Sequence, residues 1–147
     1  MKTTLIIGLL VFVAFGLYSF KYPKVNFKED TADGIQFFKG TFQEALEKAK
    51  TENKPIFLDI YATWCGPCKM LKKRTFSDKE VGDYYNANYV NIAVDGETKE
   101  GRELASKFNI QGYPTLLILD KTGKQLATQV GFVEPHILVN FGKRIVP

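Results

Sequence analysis

Both cysteines of this 147-residue chain stand in one pentapeptide, Trp64-Cys65-Gly66-Pro67-Cys68, set between an apolar run and a stretch of helix formers. That placement narrows what the chain can become. A structural disulfide gains most by closing a long loop, and a two-residue gap removes almost no unfolded-state entropy. The short gap suits exchange instead: one thiolate attacks a disulfide and its neighbour resolves the mixed product. Upstream, Pro55-Ile56-Phe57-Leu58-Asp59-Ile60-Tyr61-Ala62 is rich in strand formers and reads as a buried strand. Downstream, Lys69-Met70-Leu71-Lys72-Lys73-Arg74 has helix formers with apolar residues at helical spacing. The cysteines therefore open a helix at the end of a strand.

Gly66 and Pro67 suit a first helical turn, where the missing proline N–H has no intrahelical partner to lose. Cys65 is then expected at the cap, where free N–H groups and the helix dipole favour a thiolate. Cys68, one turn in, is expected to be the more buried of the two. Asp59 falls inside the apolar strand. A carboxylate there either faces solvent at the strand end or is buried with a raised pKa, in which case it can take a proton from Cys68. Gly112-Tyr113-Pro114-Thr115 precedes the apolar run Leu116–Leu119, and the proline reads locally as the start of an edge strand.

Elsewhere the pattern alternates. Ile35 to Phe38 reads as a first strand, and Thr41 with Glu44 forms a capping box before a helix to about Glu52. Ser77 with Glu80 repeats that signal before a helix to about Asn86. Tyr89–Asp95 is expected as a strand, Lys99–Phe108 as a helix and Thr115–Asp120 as a strand. The turn Lys121-Thr122-Gly123-Lys124 then leads into Gln125–Val130, and a terminal helix follows Pro135. Strands alternating with helices and ending in a hairpin predict an α/β fold, a mixed central sheet with helices on both faces. Phe37, Phe38, Phe42, Phe57 and Phe108 fit core or packing positions, and the single histidine, His136, fits a surface role.

These stretches resemble the thioredoxin family. The likeness rests on Phe57 through Lys69, on Gly112-Tyr113-Pro114-Thr115-Leu116, and on Gly123 and Gly131 near the last hairpin. Lys54-Pro55-Ile56, Thr75-Phe76-Ser77-Asp78 and Val130-Gly131-Phe132 are similar to membrane-associated members and to the C-terminal domains of bacterial thiol:disulfide interchange proteins. The resemblance covers roughly residues 34 to 145. It implies a thioredoxin-like fold, with Cys65 as exposed nucleophile, Cys68 as resolving cysteine and Asp59 as buried acid/base. It further implies a cis-proline at Pro114, a substrate-pairing backbone at Tyr113, and a shielding role for Trp64. Two departures stand out. A kinking proline usual in the second helix is replaced by Leu71-Lys72-Lys73-Arg74, so that the helix is either straighter or interrupted near Thr75. Asn91 stands where thioredoxin itself has a buried lysine, which leaves Asp59 without a cationic neighbour.

The Gly66-Pro67 dipeptide resembles that of the reducing members, whose potentials lie near −270 mV against about −180 mV for the isomerase type, roughly 4 kcal/mol for two electrons. A protein-disulfide reductase is the resulting expectation, with an oxidase or isomerase using the same residues as the alternative. No cofactor is called for, since the two thiols carry the electrons. A metal-binding module is the third reading, and two thiolates with one remote histidine fall short of the four ligands a zinc site needs.

Composition supports one globular domain, with 45% hydrophobic and 24% charged residues. The net charge of +4 is modest, and the basic run at Lys69, Lys72, Lys73 and Arg74 carries no base-stacking pattern, which argues against nucleic acid. Sixteen residues from Leu5 to Phe20 lack a charge. As a helix they would cover about 24 Å of a hydrocarbon core near 30 Å. Residues 1–20 are therefore read as a signal anchor or a signal peptide, 21–33 as a tether and 34–147 as the thioredoxin-like domain. Ala14 and Gly16 could offer a cleavage site, but bulky Phe15, Leu17 and Tyr18 favour an uncleaved anchor. Lys2 and the α-amino group favour a cytoplasmic N-terminus and Lys21, Lys24 and Lys28 weaken that bias. The redox domain is accordingly expected outside the cytoplasmic membrane, in the cell envelope or periplasm. Its expected partners are disulfide-containing proteins and a thiol electron donor such as a membrane reductase.

Overall fold

A computed structural model describes residues 33–147; the apolar segment expected at 1–20 and the tether from residue 21 lie outside the described residues, Asp33 apart. Four strands form one sheet in the order β2-β1-β3-β4. β1 (Ile56–Tyr61) lies inside it, parallel to β2 (Val90–Asp95) and antiparallel to β3 (Thr115–Leu119), which pairs antiparallel with β4 (Gln125–Val130). The fold is the expected mixed α/β arrangement.

The period-two alternation of β1 divides the core. Ile56, Leu58 and Ile60 face one side with Ile92, Val94, Leu117 and Leu119. There Phe42, Ala45 and Ala49 of α1 (Phe42–Glu52) and Leu104 of α4 (Lys99–Lys107) cover them. On the other side Phe57, Leu116 and Ile118 pack with Leu71, with Val81 and Tyr85 of α3 (Lys79–Asn88), and with Leu138, Val139 and Phe141 of α5 (Pro135–Lys143). On that second side α2 (Gly66–Met70) runs directly into a π-helical turn, Leu71–Thr75, whose Leu71 joins the cluster. Among the described residues no helix is long and apolar enough to cross a membrane.

The predicted caps are met at α1, where Thr41 accepts from the Glu44 N–H and Glu44 returns to the Thr41 N–H. At α3 the cap is Asp78, whose carboxylate accepts from the Val81 N–H, and Ser77 instead donates to the Lys73 carbonyl at 2.6 Å. The strand expected at Ile35–Phe38 is not part of the sheet. Its backbone donors go to separate partners, Ile35 to the Phe76 carbonyl, Gln36 to the Asn86 side chain and Phe38 to the Asn91 carbonyl, so no ladder forms. Pro114 precedes an interior strand, not an edge; it lies outside the paired residues, where its missing N–H interrupts no ladder bond.

Candidate active site

β1 delivers Asp59 and then Cys65. Past Tyr61 the chain turns, the Cys65 N–H bonds the Ala62 carbonyl at 3.1 Å, and Cys65 becomes the N-cap of α2. Its sulfur accepts from the Cys68 N–H at 3.1 Å, and Pro67 occupies the first turn. The two cysteines form a disulfide with their Cα atoms 5.3 Å apart. Both are buried, Cys65 at 3% exposure and Cys68 at 7%, so the expected contrast of an exposed first and a buried second cysteine is absent. Tyr61 and Tyr113, both partly exposed, pack against the cluster that the two cysteines form with Ala62.

Past α2 the helix is interrupted by hydrogen bonding rather than by proline. The Phe76 N–H reaches back five residues to the Leu71 carbonyl at 2.9 Å, widening one turn. Thr75, fully buried, donates to the Val133 carbonyl at 2.6 Å and anchors the widened turn to the far loop. π-turns of this kind recur at functional sites.

Asp59 is buried, and its Oδ1 has no hydrogen-bond partner. Burial alone raises its pKa from 3.8 to about 7. No cation contributes to that shift, because Ala93 sits beside Asp59 in the register, while Asn91 pairs with Phe57. Asn91 turns its amide to the Tyr85 carbonyl and the Asn86 side chain at 3.3 and 3.2 Å. Asp59 and Cys68 line one cavity of about 490 Å³, together with Phe37, Lys72, Phe76 and Ala93. Those four walls had no signal in the sequence, since they come from three separate segments: the stretch before α1, the π-turn with the residue that follows it, and β2. Lys72, read as part of a solvated basic run, and Phe37, read as packing, are thus also cavity residues.

The rim of the site is aromatic. Trp64 is 68% exposed and meets Tyr113 edge to face, with ring centroids 6.1 Å apart. The Tyr113–Pro114 peptide is cis, and Pro114 is buried beside the start of β3. Gly66 and Pro67 are exposed between the cysteines. His136 lies exposed in the first turn of α5. Among the described residues no three or more His, Cys, Asp and Glu side chains gather as a metal site would require.

The family model for a thioredoxin-like domain matches residues 42–145. The thiol:disulfide interchange protein DsbD of Haemophilus ducreyi is 30% identical over 129 residues, covering 82% of this chain and 22% of that protein. The chain therefore spans about a fifth of that relative's length. A solution structure of a candidate disulphide-isomerase from Bacteroides thetaiotaomicron is 43% identical, with a TM-score of 0.68 over 76% of this chain and 93% of that one. The oxidised C-terminal domain of DsbD from Neisseria meningitidis is 25% identical, with a TM-score of 0.62 over 74% of this chain and 98% of that one.

Proposed function

The chain belongs to the thioredoxin-like family of thiol:disulfide oxidoreductases, and from that premise we propose that it reduces disulfides in protein substrates through a Cys65/Cys68 dithiol. In the reduced form the Cys65 thiolate attacks one sulfur of the substrate disulfide and expels the other as a thiolate. A mixed disulfide links Cys65 to the substrate. Asp59 takes the proton of Cys68, whose thiolate then attacks the Cys65 sulfur and releases the second substrate thiolate. Two electrons pass to the substrate, both of its sulfurs take up protons, and the chain is left with the Cys65–Cys68 disulfide. A thiol donor then restores the dithiol by the same exchange in reverse.

The observation that carries this reading is the cavity shared by Asp59 and Cys68. A carboxyl with a pKa of about 7 and no fixed partner can accept a thiol proton and return it at neutral pH. The helix N-terminus at Cys65 favours its thiolate, and the exposed Trp64 with Tyr113 and Pro114 offers a surface for an extended substrate segment. Gly66-Pro67 supports electron donation. The apolar segment Leu5–Phe20 supports anchoring with the domain on the outer face of the cytoplasmic membrane, where a membrane reductase is the natural donor.

The likeness to a candidate disulphide-isomerase from Bacteroides thetaiotaomicron favours isomerisation as the second reading. Equilibration against a glutathione or dithiothreitol buffer separates the two. A potential near −270 mV is expected, and a value at or above about −180 mV would overturn the reductase reading. A Cys68→Ser chain should accumulate protein partners on Cys65 in cells; the lack of any such adduct would count against exchange with proteins.

A further inference from the structure

The rim residue Tyr113 packs on a turn seventeen residues upstream, at Asp95-Gly96. A Cβ on Gly96 would lie 2.4 Å from the Tyr113 hydroxyl oxygen and 2.6 Å from two of its ring carbons. Only a glycine lets the ring lie flush on the turn after β2. The turn is itself clamped. Its Gly96 N–H bonds the Tyr61 carbonyl at 2.8 Å, at the end of the strand that leads to Cys65. From behind, a Cβ on Gly101 would lie 2.0 Å from the Asp95 carbonyl oxygen, so the first turn of α4 presses directly on the same backbone. Glu97 completes the contact. Its carboxylate accepts from the Tyr113 hydroxyl at 3.4 Å, and its carbonyl accepts from the Arg102 guanidinium of α4. On its other side Tyr113 meets Trp64.

We propose that Gly96 and Glu97 are positioning residues that set how protein substrates are presented to Cys65, by fixing Tyr113 between the β2–α4 turn and Trp64. The inference rests on the reductase reading, in which the backbone of Tyr113 pairs with the substrate segment. A small disulfide reaches Cys65 without that pairing. Displacing the ring therefore penalises a protein substrate and largely spares a small one.

The test uses the full chain, with dithiothreitol as the electron source and two disulfides, insulin and hydroxyethyl disulfide. Gly96→Ala is expected to lower kcat/KM on insulin by at least about tenfold, mainly through KM, since a misplacement of about 1 Å can cost up to about a hundredfold. Hydroxyethyl disulfide reduction should fall by a much smaller factor, and the equilibrium potential should not move. Glu97→Ala, which keeps the turn and serves if Gly96→Ala does not fold, should cost about threefold on insulin, the scale of one hydrogen bond. Glu97→Gln, which retains an acceptor, should recover most of that loss. In a Tyr113→Ala background, neither Gly96→Ala nor Glu97→Ala should have a further effect. Equal losses on both disulfides, or losses that persist without the Tyr113 ring, would overturn the proposal. A wild-type chain inert toward insulin would instead sink the reductase reading, and this inference with it.

Discussion

The two faces of the sheet are built on different terms, although one strand supplies both. On the face covered by α1 and α4, β1 contributes Ile56, Leu58 and Ile60, all fully buried among apolar neighbours. On the other, the same strand contributes Phe57 and Asp59, and apolar neighbours such as Leu116, Ile118 and Leu138 are joined there by polar groups, the hydroxyls of Tyr85, Tyr89 and Thr75 and the amide of Asn91. The first face can be held by apolar burial alone, which is non-directional. The second holds a carboxyl against its solvation preference, and it ties its tyrosine hydroxyls individually. Tyr85 donates to the Leu138 carbonyl and Tyr89 to the Gly142 carbonyl, both at 2.8 Å, which fixes α5 against α3. Both faces bury a large apolar cluster, and among the described residues only the second also encloses a carboxyl.

The sharpest way to break this division is at Asp59. Its folded pKa of about 7 lies above the unfolded value near 3.8, so the folded state keeps a proton that the unfolded chain releases. Its contribution is fully present below pH 4 and is lost as pH rises to 7, with stability falling by up to about 4 kcal/mol across that window. Asp59→Asn removes the titration. Denaturant unfolding of the oxidised variant should show that slope flattened, so that the difference between the two proteins shifts by about 4 kcal/mol between pH 4 and pH 8. The same variant should slow insulin reduction at neutral pH by about a hundredfold if Asp59 moves the proton.

Leu58→Ala probes the opposite face of the same strand. Loss of about 3 kcal/mol is expected from the cavity created, with no change in pH slope and with exchange activity per folded molecule intact. Tyr85→Phe leaves the Leu138 carbonyl without its buried donor and should cost about 1.5 kcal/mol, measured in the same unfolding experiment. Thr41→Ala removes the cap of α1 and should cost about 1 kcal/mol, far from the site and without effect on exchange. If Leu58→Ala altered the pH slope, or Asp59→Asn left it unchanged, the separation of roles between the faces would fail.

Much of this was legible along the chain. Short apolar runs of strand formers located β1 and β3, strand composition located β2 and the turn at Lys121–Lys124 located β4, because local preference and burial agree at those positions. The capping box at Thr41 and the cysteine at the head of α2 depend only on residues within one helical turn. Where two local signals competed, one-dimensional reading went astray. Ser77 and Asp78 both offer a capping oxygen, and Ser77 is drawn away to the Lys73 carbonyl. Ile35–Phe38 has strand composition, yet its partners are a helix end, an asparagine side chain and a single β2 carbonyl.

By itself the amino-acid sequence determined the pairing of Cys65 with Cys68, their position between strand and helix, the order of the elements and the apolar character of β1. All of these follow from spacing and from neighbours within a few residues. Only the tertiary structure decided that Asp59 is buried without a partner, that it shares a cavity with Cys68, and that Gly96 and Glu97 hold Tyr113. Each of those depends on groups separated by many residues, and desolvation, cavity shape and close backbone approach exist only once distant segments are packed together. The cysteine pair was therefore readable as chemistry from the start, whereas the buried carboxyl, the cavity and the aromatic rim around it are properties of the packed fold.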